Sequence, residues 1–208
     1  MGAVANRRSV MILFSSSVDP LSHCARLVLA EKHITFDVVD VDQGDNRAEL
    51  AAVNPYGDVP TLVDRDLVVY DVQTLSEYLD ERFPHPPLMP VDPVSRAMVR
   101  LGLNRVFKDW YGLLPDVESE DKRVAAKAKK DLRDVIASSA DIFSAKPFFL
   151  SDDMTLVDCI IAPILWRLPH YRIDLPRQAK VIEQYAGRIF SRDSFNSCLS
   201  EAEQEMRI

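Results

Sequence analysis

Two domains of different class are predicted: an α/β domain over residues 1–84 and an all-α domain over residues 95–208, with a proline-rich linker over 85–94. Three observations carry this. Short apolar runs alternate with helical patterns up to Phe83. Residues 84–93 hold five of the chain's thirteen prolines, which makes a stiff, extended connector. From Ser95 onward the apolar period is helical throughout.

The elements of the first domain follow in order. Residues 9–14, Ser-Val-Met-Ile-Leu-Phe, form a continuous apolar run suited to a buried strand. A serine-rich loop leads to Pro20, which suits the first position of a helix with Asp19 as its cap. That helix reaches about Lys32 and turns Leu21, Ala25, Val28 and Leu29 inward. A second strand covers 36–41, a short helix or turn 47–53, and Asn54-Pro55-Tyr56-Gly57 is a turn. The apolar runs 59–63 and 67–70 flank Asp64-Arg65-Asp66 and read as a hairpin. Pro60 cannot donate to a strand ladder, so it marks either an edge strand or a cis bond at a strand start beside a binding site. Leu75, Tyr78, Leu79 and Phe83 then repeat at helical spacing until Pro84 stops the helix. The order β-α-β-α-β-β-α is that of a thioredoxin-like domain.

In the second domain the spacing predicts long helices over 95–114 and 118–143. The basic stretch 122–133 is diluted by Asp121, Asp131 and Asp134 and reads as a solvated face. Thr155 and Asp158 form a capping box with Asp in the usual Glu place. The helix after it, to about Leu168, is apolar on nearly all sides and should be the core of this domain. A helix over 180–190, then a short final helix and a charged tail, complete the chain.

At 208 residues and 47% hydrophobic, the chain can bury a substantial core. A net charge of −7 argues against direct nucleic-acid binding. Cys24, Cys159 and Cys198 are odd in number and far apart, which argues against a disulfide framework or a metal site and for a reducing compartment. The apolar run after Arg8 is too short for a signal peptide, and no segment reaches membrane-spanning length. Asn6 stands where a myristoylation motif wants Ser or Thr. A cytoplasmic location is expected.

Val59-Pro60-Thr61-Leu62, the hairpin, and a helix ending Glu77-Tyr78-Leu79-Asp80-Glu81-Arg82-Phe83-Pro84 together resemble the thioredoxin-like half of the glutathione transferase family. The resemblance implies the two-domain transferase fold and a cis Pro60. More narrowly, residues 77–90, through Pro84-His85-Pro86-Pro87-Leu88-Met89-Pro90, resemble the stringent starvation protein A family of bacterial, RNA polymerase-binding proteins. Residues 28–32, 108–111, 150–152, 166–169 and 205–207 are similar to that family too, in order and across the chain.

A transferase site requires a hydroxyl that donates to the glutathione thiolate, or a reactive cysteine. The Cys-type motif is matched here by Asp19-Pro20-Leu21-Ser22, and a carboxylate at Asp19 would raise a thiol's pKa. Where transferases carry Glu-Ser to hold the γ-glutamyl carboxylate, this chain has Asp71-Val72. Asp19, Val59, Pro60 and Asp71 thus outline a vestigial glutathione cleft, with no cofactor, no metal and no catalytic residue expected. The alternative is a glutathione-dependent transferase using a hydroxyl of Ser15, Ser16 or Ser17.

The narrower resemblance implies a regulator that binds RNA polymerase holoenzyme through Pro84, His85, Pro86 and Pro87, with Leu88 and Asp92 alongside. The family pattern has Val-Tyr-Pro where this chain has Val91-Asp92-Pro93, so an aromatic anchor is replaced by a carboxylate. The resemblance also implies a homodimer, with Tyr78, Arg96 and Arg100 as contact residues.

Overall fold

The structure is a computed structural model that describes residues 10–207. Ser9 and the N-terminal motif positions before it lie outside the described residues. Two compact units are present. The first comprises the chain up to Pro86 together with Ser197–Gln204, and the second comprises Pro87–Asn196 with the extreme C-terminus.

In the first unit, strands β1 (Met11–Ser15), β2 (Phe36–Asp40), β3 (Thr61–Asp64) and β4 (Leu67–Val69) form a sheet in the order β2-β1-β3-β4. β1 and β2 are parallel, with Leu13 opposite Val38. β1 with β3 and β3 with β4 are antiparallel, with Leu13 opposite Leu62 and Leu62 opposite Val69. Helix α1 (Pro20–Glu31) connects the parallel pair, α2 (Asn46–Val53) precedes Pro60, and α3 (Val72–Arg82) follows the hairpin. The period of two splits the strand residues between faces. Phe14 packs with Val41 and Leu50, and Ile12, Val39, Val59 and Val63 join that cluster. On the opposite face Leu13 and Leu62 are fully buried, as are Val28, Leu75 and Leu79 of the mutually packed α1 and α3. Each such leucine contributes about 2 kcal/mol by leaving water.

Pro60 is buried, and the Val59–Pro60 bond is cis. β3 lies between β1 and β4 rather than at an edge. The residue without an N–H therefore sits just ahead of the strand, where no ladder bond is lost.

The second unit is helical: α4 (Pro93–Asp109), α5 (Leu114–Val117), α6 (Lys122–Ser138), α7 (Ala140–Ala145), α8 (Leu156–Arg167), α9 (Lys180–Phe190) and the start of α10 (Asp193–Cys198), whose last two residues belong to the first unit. Every residue of α8 except Trp166 is buried, as its all-round apolarity predicts. α4 packs on α8, and Gly102 marks their close approach. A Cβ there would lie 3.2 Å from the Val157 side chain. Phe143 anchors an aromatic cluster, 4.6 Å from the Tyr185 ring and 5.4 Å from Phe149 between centroids.

Two helices expected to be continuous are broken. The predicted 95–114 helix ends at Asp109, and a 3-10 turn over Tyr111–Leu113 precedes α5. The break falls at Trp110, the C-cap of α4, whose φ of −110° departs from the helical value; Pro115 then sits in the first turn of α5, where its missing N–H costs no helix bond. The predicted 118–143 helix starts only at Lys122, because Asp121 caps it by accepting from Arg123 N at 2.8 Å. It breaks again at Ser139, where the Ser138 and Ser139 hydroxyls both donate back to Val135 O, at 2.8 and 3.1 Å.

Along the chain the first unit ends at Pro86, and Ser197–Gln204, with helix α11 (Glu201–Glu205) across its end, groups with it. A buried charge pair explains this. The Arg26 guanidinium donates to Glu203 Oε2 at 2.6 Å and to Cys198 O at 2.9 Å. No helix among the described residues is long and apolar enough to cross a membrane.

Candidate functional site

Pro84, His85, Pro86 and Pro87 are all exposed. A peptide with three prolines offers few N–H groups, so its carbonyls must fix its course. The fixing group is Lys32, at the C-terminal end of α1. Its side chain is fully buried. The ammonium donates to the Asp80 carboxylate, to Phe83 O at 2.7 Å and to Pro86 O at 2.6 Å. All three of its N–H donors are thereby used. Phe83 is the C-cap of α3, so the cation also meets the negative end of that helix.

Leu88 departs from its expected place in the contact surface. It is 3% exposed, and its carbonyl accepts from Leu156 N at 2.9 Å. It is an internal anchor of the second unit, because an apolar side chain at this point is worth more in the core than in water. Asp92 is exposed and caps α4, accepting from Ser95 N at 2.8 Å. The Ser95 side chain and backbone hold its carboxyl below the usual range.

The cleft residues sit at helix starts and just ahead of β3. Asp19 caps α1 by accepting from Ser22 N at 2.6 Å. Asp71 caps α3 by accepting from Thr74 N and the Thr74 hydroxyl, both at 2.7 Å. Val59 packs on the Phe14 cluster, and the adjoining Val72 is buried. Both carboxylates thus have local backbone work that needs no ligand.

The serine hydroxyls are committed within the chain. Ser15 is buried; its Oγ accepts from the Arg26 guanidinium and donates to Ser16 O at 3.3 Å. Ser16 Oγ donates to Asp42 Oδ2 at 2.6 Å. Ser17 donates to the same oxygen through its N–H at 3.1 Å and its hydroxyl at 3.4 Å. The Ser16 hydroxyl is the chief reason that the Asp42 carboxyl lies below its ordinary range, with the Ser17 N–H and Arg47 assisting against partial burial. The three thiols are no better as nucleophiles. All are free and buried, and burial pushes Cys24 far up and Cys198 to about 12.

Tyr78 donates to Asp64 Oδ2 at 2.6 Å and is half-buried, as are Arg96 and Arg100. Thr155 and Asp158 form the predicted capping box, with Thr155 N donating to Asp158 Oδ2 at 2.7 Å. Asp158 does more than the spacing indicates. It also accepts from Phe149 N at 2.8 Å and from the Tyr185 hydroxyl at 2.6 Å. Burial nevertheless raises its carboxyl, and burial beside Asp158 raises the Tyr185 phenol well above its ordinary range.

Sequence reasoning missed Lys32, Arg26 and Glu203. For Glu203 a signal existed: Ser200-Glu201-Ala202-Glu203 is a capping box. Ser200 N donates to Glu203 Oε2 at 3.0 Å, and Glu203 N donates to Ser200 Oγ at 3.1 Å.

The comparisons agree with this geometry. Residues 13–87 match the glutathione S-transferase N-terminal domain and residues 98–193 the C-terminal domain. The fold is similar to a Tau class glutathione S-transferase from mango, with a TM-score of 0.82 at 19% identity, covering 96% of this chain and 97% of that one. It is also similar to FzlA from C. crescentus, with a TM-score of 0.81 at 20% identity, covering 96% and 100%. At sequence level the chain is 44% identical to a stringent starvation protein A homolog of Coxiella burnetii, over 97% of each protein. It is 46% identical to one of Pasteurella multocida, over 96% of this chain and 94% of that protein. With a transferase fold and relatives of this similarity along nearly its whole length, the chain belongs to the stringent starvation protein A family.

Proposed function

We propose that this protein is a non-enzymatic transcription regulator of the bacterial starvation response that binds RNA polymerase holoenzyme through Pro84, His85, Pro86 and Pro87. Its relatives' name supports the starvation role, as stated above. The observation that carries the binding reading is the exposed tetrapeptide held by buried Lys32. A surface of prolines loses little conformational entropy when a partner closes on it, and an exposed imidazole both stacks and hydrogen-bonds.

Two observations support the absence of transferase chemistry. The hydroxyls of Ser15, Ser16 and Ser17 are already donated to Ser16 O and Asp42, and the thiols are buried. A thiolate in the old cleft would find no hydroxyl proton without breaking one of these bonds.

The homodimer reading is supported by an apolar stripe on α4. Val94, Met98 and Leu101 are 74%, 50% and 58% exposed at i, i+4 and i+7. Such a stripe suits burial against a second copy, with Tyr78, Arg96 and Arg100 as the polar contacts.

The test is co-purification of the intact protein with core polymerase and with holoenzyme, together with glutathione-column retention and turnover of a chromogenic electrophile. Holoenzyme capture without turnover is the expected result. Robust conjugation abolished by Ser17→Ala would establish the transferase reading instead.

A further inference from the structure

We infer that Lys32 is the positioning residue of the Pro84-His85-Pro86-Pro87 surface, its buried ammonium setting the course of the peptide that presents His85. This deepens the polymerase-binding reading and rests on it.

Three features single out Lys32. First, lysine is rarely buried completely, and here its charge has one carboxylate and two backbone carbonyls around it. Second, the two carbonyls bracket the exposed imidazole. Phe83 O lies two residues before His85 and Pro86 O one residue after it. Third, residues 84, 86 and 87 are prolines and cannot hold their own path by N–H bonds. A compact ammonium presents three donors from one atom to acceptors that converge on a point, whereas arginine spreads its donors over a planar fork.

Lys32 touches no partner in this arrangement. It acts through the peptide it holds, so its effect must be separable from general stability. Removing only the cation leaves the buried Asp80 carboxylate without its ammonium. Replacing both members with apolar residues removes that penalty, since such exchanges of buried pairs are often neutral or stabilising. The double exchange still leaves Phe83 O and Pro86 O without their donor.

The experiment uses the full chain in three forms: wild type, Lys32→Met, and Lys32→Met/Asp80→Leu. Each is measured by thermal melting, by the His85 imidazole proton resonance, and by titration with RNA polymerase holoenzyme. Lys32→Met should melt lower. The double variant should recover most of the melting temperature yet show a displaced His85 resonance and about tenfold weaker holoenzyme binding, the scale of lost pre-organisation. A folded variant with the wild-type His85 resonance and wild-type affinity overturns the positioning role. If wild type itself does not bind holoenzyme, the polymerase reading fails alone. The His85 resonance then decides: displacement in a folded variant supports positioning, and no displacement overturns it.

Discussion

Asp42 draws the loop after β1 together, and its carboxyl lies below its ordinary range chiefly because Ser16 donates to it. A depressed acid contributes stability that is complete above the unfolded value of about 3.9 and is lost as pH falls through the lower folded value. Protection of the Ser17 amide against hydrogen exchange, taken relative to its intrinsic rate at each pH, should therefore hold from neutral pH down to that range and then fall. Asp42→Asn should remove this pH dependence. The thiols give a second check. With all three cysteines buried and Cys198 raised to about 12, a thiol reagent at pH 8 should label none in the native protein and all three in denaturant. Asp158 serves as acceptor for Thr155, Phe149 and Tyr185 at once. Asp158→Ala leaves several buried donors without an acceptor and should cost about 3 kcal/mol or more in denaturant unfolding. The sequence showed only the part of this hub that is local. Thr155 lies three residues from Asp158, whereas Tyr185 lies 27 away.

Among elements, those with strong apolar period were legible: α8, α9 and the strands fall where the pattern puts them. Helix breaks were not, because Ser138 and Ser139 act through single hydroxyl bonds to Val135 O that barely change the apolar period. α11 was hidden for another reason. It looks like a charged tail until Glu203 meets Arg26, 177 residues away. The pair is almost fully buried. Glu203→Gln should leave the guanidinium undercompensated and lower stability by about 3 kcal/mol, read by thermal or denaturant melting. Lys32 escaped notice likewise, since its acceptors lie 48 to 54 residues on.

At the scale of the whole molecule, a transferase fold is retained, and the residues of the expected cleft carry structural bonds. Asp19 and Asp71 cap helices, and the serines serve Asp42. The proposed loss of the glutathione site is argued from residue types, because a carboxylate at Asp19 disfavours a thiolate and Val72 has no hydroxyl. The limits of the proposed partner surface could not be read that way. Leu88 shares the motif but belongs to the core, and only burial separates it from the exposed four residues before it. The decisive measurement is co-sedimentation with RNA polymerase holoenzyme of wild type beside His85→Ala and Pro84→Ala, each confirmed folded by circular dichroism. Binding by wild type that is lost in the variants is the predicted result. Unchanged binding by both folded variants would contradict it and move the interface away from the proline surface.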